Sequence, residues 1–98
     1  MAVIEIRQTE AYSAWFERLR DRMAKTRILL RLRRVSLGNL GDAKPVGEGV
    51  SELRIDYGAG YRVYFIQRGQ TLVVLLAGGD KRTQPRDIQK AITLSKTV

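Results

Sequence analysis

Basic, acidic and phenolic side chains alternate along two neighbouring segments in the second half of the chain. Glu52 and Arg54 occupy alternate positions in one segment, and Arg62 and Tyr64 do so in the next. Both segments show the period-two pattern of β-strands, in which alternate residues share a face. Keeping the intervening apolar residues in the core places Arg54 opposite Arg62 or Tyr64, because a one-residue shift would bury an arginine. The four side chains are predicted to share an exposed sheet face that can bind phosphate, unless Glu52 or Asp56 simply neutralises an arginine.

A second basic segment follows the last predicted strand. Residues 78–83, Gly-Gly-Asp-Lys-Arg-Thr, lead into a predicted helix. Backbone N–H groups at a helix N-terminus favour anions, and Lys81 and Arg82 add positive charge there. The segment lacks the G-x-x-x-x-G-K-[ST] spacing of a P-loop. Residues 58–60, Gly-Ala-Gly, precede a strand instead of the helix that a dinucleotide-binding loop requires.

A third group of cations lies in the N-terminal half, on the outer sides of two predicted helices. It comprises Arg18, Arg20, Arg22, Lys25, Arg27, Arg31, Arg33 and Arg34, with Asp21 among them. This group forms either a solvated helical surface or a surface that binds an RNA backbone or an acidic partner protein.

The elements that position these groups follow from hydrophobic periodicity. Alternation over Ala2–Arg7 predicts a first strand. Thr9 is a helix N-cap, and two helical stripes follow, with the break inside Asp21–Lys25 unless one long kinked helix forms. The first stripe comprises Tyr12, Trp15, Phe16, Leu19 and Met23, and the second comprises Ala24, Ile28, Leu32 and Val35.

The residue pattern in the second half of the chain predicts a sheet and a last helix. The glycine-rich residues 38–49 indicate a surface loop. Short turns join the three strands that follow into an antiparallel meander, with which the first strand is expected to pair. Thr83 caps the C-terminal helix, with Pro85 in its first turn. The three strands are Val50–Asp56, Tyr61–Gln67 and Thr71–Ala77, the last of them apolar enough to be buried on both faces.

The predicted fold class is α+β: an N-terminal strand, a two-helix hairpin, an antiparallel sheet of three to four strands and a C-terminal helix, in one domain over residues 1–98. The chain carries 18 Lys and Arg against 10 Asp and Glu, a net charge of +8. That charge indicates nucleic acid, an anionic membrane surface or an acidic protein as partner, with a merely soluble basic surface as the alternative. Cysteine and histidine are absent, which excludes a disulfide and disfavours a zinc site. Residues 1–7 are too short and polar for a signal peptide and no segment predicts a membrane span, so we expect a cytoplasmic protein.

Two segments resemble a known family of bacterial and phage proteins. Residues 52–65, ELRIDYGAGYRVYF, and residues 75–91, LLAGGDKRTQPRDIQKA, together with the element order, resemble the RelE/ParE toxin superfamily. The most similar branch is that of the HigB-like addiction module killer proteins, and the resemblance spans nearly the whole chain. It implies the toxin of a type II toxin–antitoxin pair, a ribosome-dependent endoribonuclease that cuts mRNA, leaves 2′,3′-cyclic phosphate ends without a metal, and inhibits translation.

The resemblance also implies roles for single residues. Arg62 matches the family's sheet arginine and is expected to stabilise the phosphate that the 2′-hydroxyl attacks. Lys81 is a second cation of that pocket and a candidate acid for the leaving group, while Tyr64 or Glu52 would assist proton transfer. The RNA would be held by Lys44, Arg54, Arg82 and Arg86. A histidine base, which some relatives use, is impossible in this chain.

The expected partners are a cognate antitoxin of the helix-turn-helix type, carrying an acidic or amphipathic segment, and the ribosome with its mRNA. A membrane and a small-molecule cofactor are not expected. Two alternatives stand beside this hypothesis. One is a ParE-like toxin that binds DNA gyrase and cuts nothing, and the other is an inactive nucleic-acid-binding relic.

Overall fold

The structure, a computed structural model that describes residues 3–98, is an α+β fold with a five-stranded sheet. The predicted fold class is confirmed. Ala2, at which the predicted first strand begins, lies outside the described residues. The strands are β1 (Glu5–Gln8), β2 (Ala43–Gly47), β3 (Val50–Ile55), β4 (Tyr61–Arg68) and β5 (Leu72–Gly79). The helices are α1 (Glu10–Arg18), α2 (Arg22–Ser36) and α3 (Gln84–Ser95), with a 3-10 turn over Lys81–Thr83 before α3.

A polar side chain begins each of the first two helices. Thr9 accepts a hydrogen bond from the Tyr12 backbone N–H at 3.2 Å, as predicted for an N-cap. Asp21 accepts from the N–H groups of Met23 and its successor, so its carboxylate starts α2 and separates it from α1. One long kinked helix is therefore excluded, and the break lies at residues 19–21. The assignment of Met23 to the first helical stripe is wrong, because Met23 lies in α2 and is 52% exposed.

The strand order of the sheet is β1-β5-β4-β3-β2, with β1 parallel to β5 and the other neighbours antiparallel. The expected pairing of the first strand with the meander is confirmed. The sheet has one strand more than predicted, because residues 43–47 of the predicted loop 38–49 form β2. The sequence does not predict this strand, because Pro45 and the flanking glycines are typical of loops. They suit its edge position, where a proline leaves no ladder hydrogen bond unmade.

Helices cover both faces of the sheet. α1 and α2 pack on the face that carries Leu53 and Phe65, and α3 packs on the face that carries Tyr64 and Leu76. β5 contributes side chains to both clusters, so its predicted burial on two faces is confirmed. The expectation that Glu52 and Tyr64 lie on an exposed face is wrong: both side chains are fully buried because α3 covers them.

Gly78, in β5, lies where α1 approaches the sheet most tightly. A Cβ atom added to Gly78 would overlap the indole ring of Trp15. Trp15 itself packs against the core cluster beneath α1 and α2. Glycine is therefore required at this position by lack of space and not by backbone conformation.

Gly78→Ala is expected to lower the free energy of unfolding by about 3 kcal/mol or more, because the added methyl meets an indole that the core holds in place. Urea unfolding, monitored by the fluorescence of the single tryptophan, measures the loss. Gly38→Ala is the matched control. Gly38 has φ +93° and, among residues 3–98, no neighbour within 4 Å of the added methyl, which therefore meets only backbone strain of about 1–2 kcal/mol. Equal losses in the two variants would contradict the packing explanation.

Candidate functional site

Three of the basic side chains singled out by the sequence line one cavity of about 380 Å³ beside the β3–β4 hairpin: Arg54, Arg62 and Lys81. Arg54 and Arg62 are direct partners across β3 and β4, which confirms the predicted register. Two carboxylates, those of Asp42 and Asp56, also line the cavity. Its three cations and two carboxylates leave a formal excess of one positive charge.

The pairing of β4 with β5 brings Lys81 to the arginines. Arg62 pairs with Gly79, so Lys81 follows two residues after the partner of Arg62. The Lys81 N–H donates to the Ala59 carbonyl at 3.4 Å, which holds the 3-10 turn against the hairpin. Gly60 has φ +76°, and a Cβ there would lie 3.4 Å from Cβ of Lys81 and 3.8 Å from Nη1 of Arg62. Glycine at this position therefore leaves room for two basic side chains in one cavity.

The Arg62 guanidinium has unused hydrogen-bonding capacity. Its Nη1 reaches the carbonyls of Gly60 and Tyr61 at 3.4 Å each, which are long bonds. Its Nε is buried and has no hydrogen-bond partner among residues 3–98. No carboxylate of those residues forms an ion pair with it. A buried donor without an acceptor is unfavourable, and a shift of the guanidinium that opens Nε to the cavity would let an anion supply the missing acceptor.

Arg54, in contrast, is held by a buried carboxylate. Its Nε donates to Oε1 of Glu52 at 2.9 Å, and Oε2 of Glu52 accepts from Nε2 of Gln84 at 2.8 Å. Glu52 is completely buried, whereas the Arg54 side chain is 34% exposed. Because both oxygens of Glu52 are engaged away from the cavity, Glu52 positions Arg54. Nothing in the sequence marks Gln84, the first residue of α3, as the second partner.

Tyr64 lies opposite Glu52, behind the wall of the cavity. Its hydroxyl is buried and has no hydrogen-bond partner in the described part of the chain. Burial, followed by the nearby Glu52 and Asp87 carboxylates, raises the pKa of Tyr64 above its ordinary value. The phenol therefore stays protonated near pH 7 and cannot act as a base there.

The anion-binding place predicted in the turn at residues 78–83 is occupied by a carboxylate of the protein. Asp80 accepts from the Arg82 backbone N–H at 2.8 Å and forms a capping box with Thr83. The Arg82 side chain, through its hydrogen bond to Asp80, also lowers the pKa of Asp80 below its ordinary value. Thr83 is the N-cap residue of α3, as predicted, but its side chain forms no capping hydrogen bond to the helix backbone, because its hydroxyl donates to Asp87 at 2.5 Å. An anion near this turn would therefore be attracted by basic side chains and not by the backbone N–H groups of the turn.

The remaining predicted RNA-binding residues lie outside the cavity that contains Arg62. Lys44 is exposed on β2, opposite Glu52. Arg82 forms an ion pair with Asp80 at 3.1 Å, and its side chain is 82% exposed.

Arg86 lies in a second cavity of about 400 Å³ between α1 and α3, together with Arg18 and Lys90. The two cavities adjoin, because Asp80 lines the second and Lys81 lines the first.

From the sequence, one group of the site is not recognised, one is given a different role and one is misplaced. Asp42 was hidden in the predicted loop, although recognition of β2 would have placed it beside Arg54, whose N–H donates to the Asp42 carbonyl at 3.0 Å. Asp56 was considered only as a neutralising partner. Arg31, counted among the outer helical cations, donates to the carbonyls of Arg54 at 2.5 Å, Leu40 at 2.9 Å and Asp42 at 3.2 Å. Burial lowers the pKa of Arg31 below its ordinary value, and its cation holds the backbone that carries the cavity.

Within residues 3–98, no group of three or more histidine, cysteine, aspartate or glutamate side chains is arranged to hold a metal ion. Over the same residues, no helix is both long enough and apolar enough to cross a membrane.

Comparison with known proteins places the chain in a family. It is 45% identical over 93 residues to an uncharacterized protein of Haemophilus influenzae (strain ATCC 51907 / DSM 11121 / KW20 / Rd). The match covers 95% of this chain and 94% of that protein. The chain therefore belongs to the same family as the Haemophilus influenzae protein, whose name states no function. No family model matches the chain.

Arg54→Met is expected to destabilise the protein by about 3 kcal/mol, because it leaves the buried Glu52 carboxylate with Gln84 as its one remaining partner among those described. Adding Glu52→Gln should recover most of this loss, since a neutral amide needs no cation beside it. Denaturant unfolding of the two variants and the parent measures both steps. A double variant no more stable than Arg54→Met would show that the loss of stability does not come from an unpaired Glu52 carboxylate.

The stability of the protein is expected to fall as the pH rises above about 10, the ordinary pKa of tyrosine. The folded state keeps the proton on Tyr64, whereas the unfolded chain releases it, so alkali favours unfolding. In Tyr64→Phe the decline should be shallower, by up to about 1.4 kcal/mol per pH unit. At pH 7 the substitution should change stability by less than about 1 kcal/mol, because the hydroxyl has no partner among residues 3–98. Unfolding curves from pH 8 to pH 11 measure the effect, and parallel declines in the two proteins would contradict it.

Proposed function

We propose that this chain is a HigB-like toxin of the RelE/ParE superfamily, which acts in the cytoplasm as a ribosome-dependent mRNA endoribonuclease and so inhibits translation. The observation that carries the proposal is the Arg62 guanidinium, whose Nε has no hydrogen-bond partner among residues 3–98 and which shares a small cavity with Lys81. All three cations of that cavity belong to the two segments that resemble the family, residues 52–65 and 75–91. The net charge of +8 favours association with an RNA backbone.

In the proposed reaction the ribose 2′-oxygen attacks the adjacent phosphorus, and the bond between phosphorus and the 5′-oxygen breaks. The proton of the 2′-hydroxyl passes to a base, and the departing 5′-oxygen takes a proton from an acid. The products are a 2′,3′-cyclic phosphate and a 5′-hydroxyl. Negative charge builds on the phosphorane, so the reaction is accelerated by cations that are already in place around it.

In this proposal the residues of the cavity share these tasks. Arg62 offers its free donors to the phosphorane, and Lys81 supplies a second cation and a proton for the leaving oxygen. Arg54 holds the RNA backbone. Asp42 and Asp56 line the cavity and are better placed to accept the 2′-proton than Glu52 and Tyr64, which are fully buried.

The positions of the other basic residues fit a strand that extends beyond this cavity. An RNA strand crossing the segment Asp80–Lys81 would pass from the first cavity to Arg86 and Lys90 in the second. Lys44 and Arg82 are exposed and available to phosphates around these cavities. The proposed partners are the ribosome with its mRNA, and a helix-turn-helix antitoxin encoded beside the toxin.

Arg62→Ala is expected to restore growth to cells that express the protein, because the phosphorane loses its principal donor. Cleavage of ribosome-bound mRNA by the purified variant should fall about 10²–10³-fold, the usual effect of removing one such donor. Arg68→Ala is the matched control, since Arg68 is exposed on the same strand and outside the cavity, and it should cleave at the parent rate. Circular dichroism and thermal unfolding establish that both variants are folded.

Mapping of mRNA 5′ ends in expressing cells separates the proposal from its alternatives. Codon-phased cuts with 5′-hydroxyl ends, absent in Arg62→Ala, support the ribonuclease. DNA damage without such cuts would overturn it in favour of a toxin that binds gyrase. Harmless expression with salt-sensitive RNA binding would overturn it in favour of an inactive RNA-binding module.

A further inference from the structure

The second cavity, of about 400 Å³ between α1 and α3, combines a buried acid with an exposed basic rim. Asp87 lines it with a side chain that is only 9% exposed. The cations Arg18, Arg86 and Lys90 also line it, and all three are exposed. Its volume lies within the range of about 300–1,000 Å³ that is usual for small-molecule sites. The cavity is therefore large enough for a ligand that reaches from the rim to the buried acid.

The carboxylate of Asp87 has one oxygen that accepts no hydrogen bond from the described chain. Its Oδ2 accepts from the Thr83 hydroxyl at 2.5 Å and lies against Gly79, where an added Cβ would overlap it. Its Oδ1 has no hydrogen-bond donor among residues 3–98. The cation with which Oδ1 pairs, through Nε of Arg86 at 3.9 Å, is too distant for a hydrogen bond. Oδ1 is therefore available to a donor of a ligand that enters the cavity.

An aromatic ring also lines the second cavity. Trp15 is half-buried and is the single tryptophan of the chain. It packs so closely against Gly78 that an added Cβ would overlap its indole, and its ring centroid lies 5.7 Å from that of Tyr12. The ring is therefore fixed by the core. A fixed aromatic ring beside basic side chains is the usual platform for a nucleobase.

The charges of the second cavity restrict the kind of ligand that fits. Its three cations and two carboxylates, Asp80 and Asp87, leave a formal excess of one positive charge, which disfavours a cationic ligand. A small inorganic anion would be attracted to the rim but repelled by Asp87 inside. A neutral ring with hydrogen-bond donors and an anionic tail satisfies both parts, with the ring inside and the tail at the rim. A nucleotide has this composition.

Among the nucleobases, guanine matches the carboxylate best, because an ionised carboxylate accepts hydrogen bonds and donates none. The Watson–Crick edge of guanine presents two adjacent donors, N1–H and the N2 amino group. Adenine and cytosine carry a ring acceptor beside their amino group, and uracil flanks its N3–H with two carbonyls. Each of these three bases would place an acceptor against the carboxylate.

We propose that the second cavity binds a guanine nucleotide. The base edge donates to Oδ1 of Asp87, the ring lies against Trp15, and the phosphate lies among the cations of the rim. A free nucleotide and a guanosine within an RNA strand share this chemistry. No residue lines both this cavity and the one that contains Arg62, so the inference does not rest on the ribonuclease proposal.

The fluorescence of Trp15 reports on the second cavity directly, because the chain has no other tryptophan. Titration with 5′-GMP, 5′-IMP and 5′-AMP compares three base edges on one ring system: IMP lacks the N2 amino group, and AMP carries an acceptor at N1. GMP should bind at least about tenfold more tightly than AMP, with IMP between them, as is usual for a hydrogen-bonded base edge. Isothermal titration calorimetry measures the same affinities without an optical signal. Equal affinities for GMP and AMP would overturn the proposal.

Variants test the acid and the rim separately. In Asp87→Asn the amide oxygen remains the acceptor for Thr83, so the NH₂ group faces the ligand and the preference for GMP over AMP should be lost. A preference that survives in the folded variant would overturn the proposal.

Arg86→Gln should weaken all three nucleotides roughly threefold, the effect of one exposed ion pair, and should keep their order. Arg68→Gln is the matched control, since it removes the same charge from β4 outside the cavity and should bind GMP as the parent does. Equal affinities in Arg86→Gln and Arg68→Gln would overturn the placement of the phosphate at the rim. If Asp87→Asn fails to fold, the three nucleotides and Arg86→Gln still decide the proposal.

Competition with GMP identifies the source of the base. The probe is a single-stranded oligomer of 2′-methoxy uridines with one 2′-methoxy guanosine, which cannot be cut because its 2′-oxygens are blocked, and the all-uridine oligomer is its control. Displacement of GMP by the guanosine oligomer alone supports a guanosine of an RNA strand as the ligand, and displacement by neither oligomer supports a free nucleotide. Equal displacement by both would overturn the proposal, because phosphate contacts alone would then account for binding. These measurements do not detect RNA cleavage, so a failure here is distinguishable from a failure of the proposed activity.

Discussion

The arrangement of the cavity depends on the buried carboxylate of Glu52. A carboxylate removed from water is tolerated only when donors surround it, and Arg54 and Gln84 are those donors. The bond to Gln84 fixes the start of α3 against β3, and the bond to Arg54 holds a guanidinium at the cavity. Since α3 follows the 3-10 turn directly, fixing its first residue also fixes the turn that carries Lys81. A single ionic group in the interior thus sets the distance between two cations on the surface.

The register of β3 and β4 could be predicted from the sequence because its apolar residues alternate, and only one pairing keeps both arginines out of the core. The burial of Glu52 and Tyr64 could not be predicted from the sequence. Strand parity shows which residues share a face, but it carries no information about which helix covers that face. The sequence does not predict β2, because the segment contains Pro45. A proline fits a strand only at the edge of a sheet, and the local sequence does not show which strand lies at the edge. The bonds from Arg31 to backbone carbonyls could not be predicted either, because they join residues that are distant in the sequence. The local sequence is equally compatible with an arginine side chain in solvent.

The positive charge of the chain is not concentrated at the cavity. Three cations there face two carboxylates, whereas α2 carries six cations with no acidic residue of its own. Electrostatic attraction to an RNA backbone would therefore act over a wide surface. It would bring an RNA strand to the protein but would not select one phosphodiester bond for cleavage. The proposed selectivity for one phosphate comes instead from preorganisation: Arg62 lines the cavity, is partly buried and keeps a donor that the described chain does not use.

α2 supports the cavity through Arg31, which donates to the backbone carbonyl of Arg54, one of the residues of its lining. A change in the cavity that acts through Arg31 would have to favour a displaced state of α2 over the present one. The inner side of α2 is fully buried at Ile28 and Val35, and a close-packed core resists displacement of that kind. The cavity is therefore held in one arrangement by the core beneath α2, and its cations are in place before any anion enters.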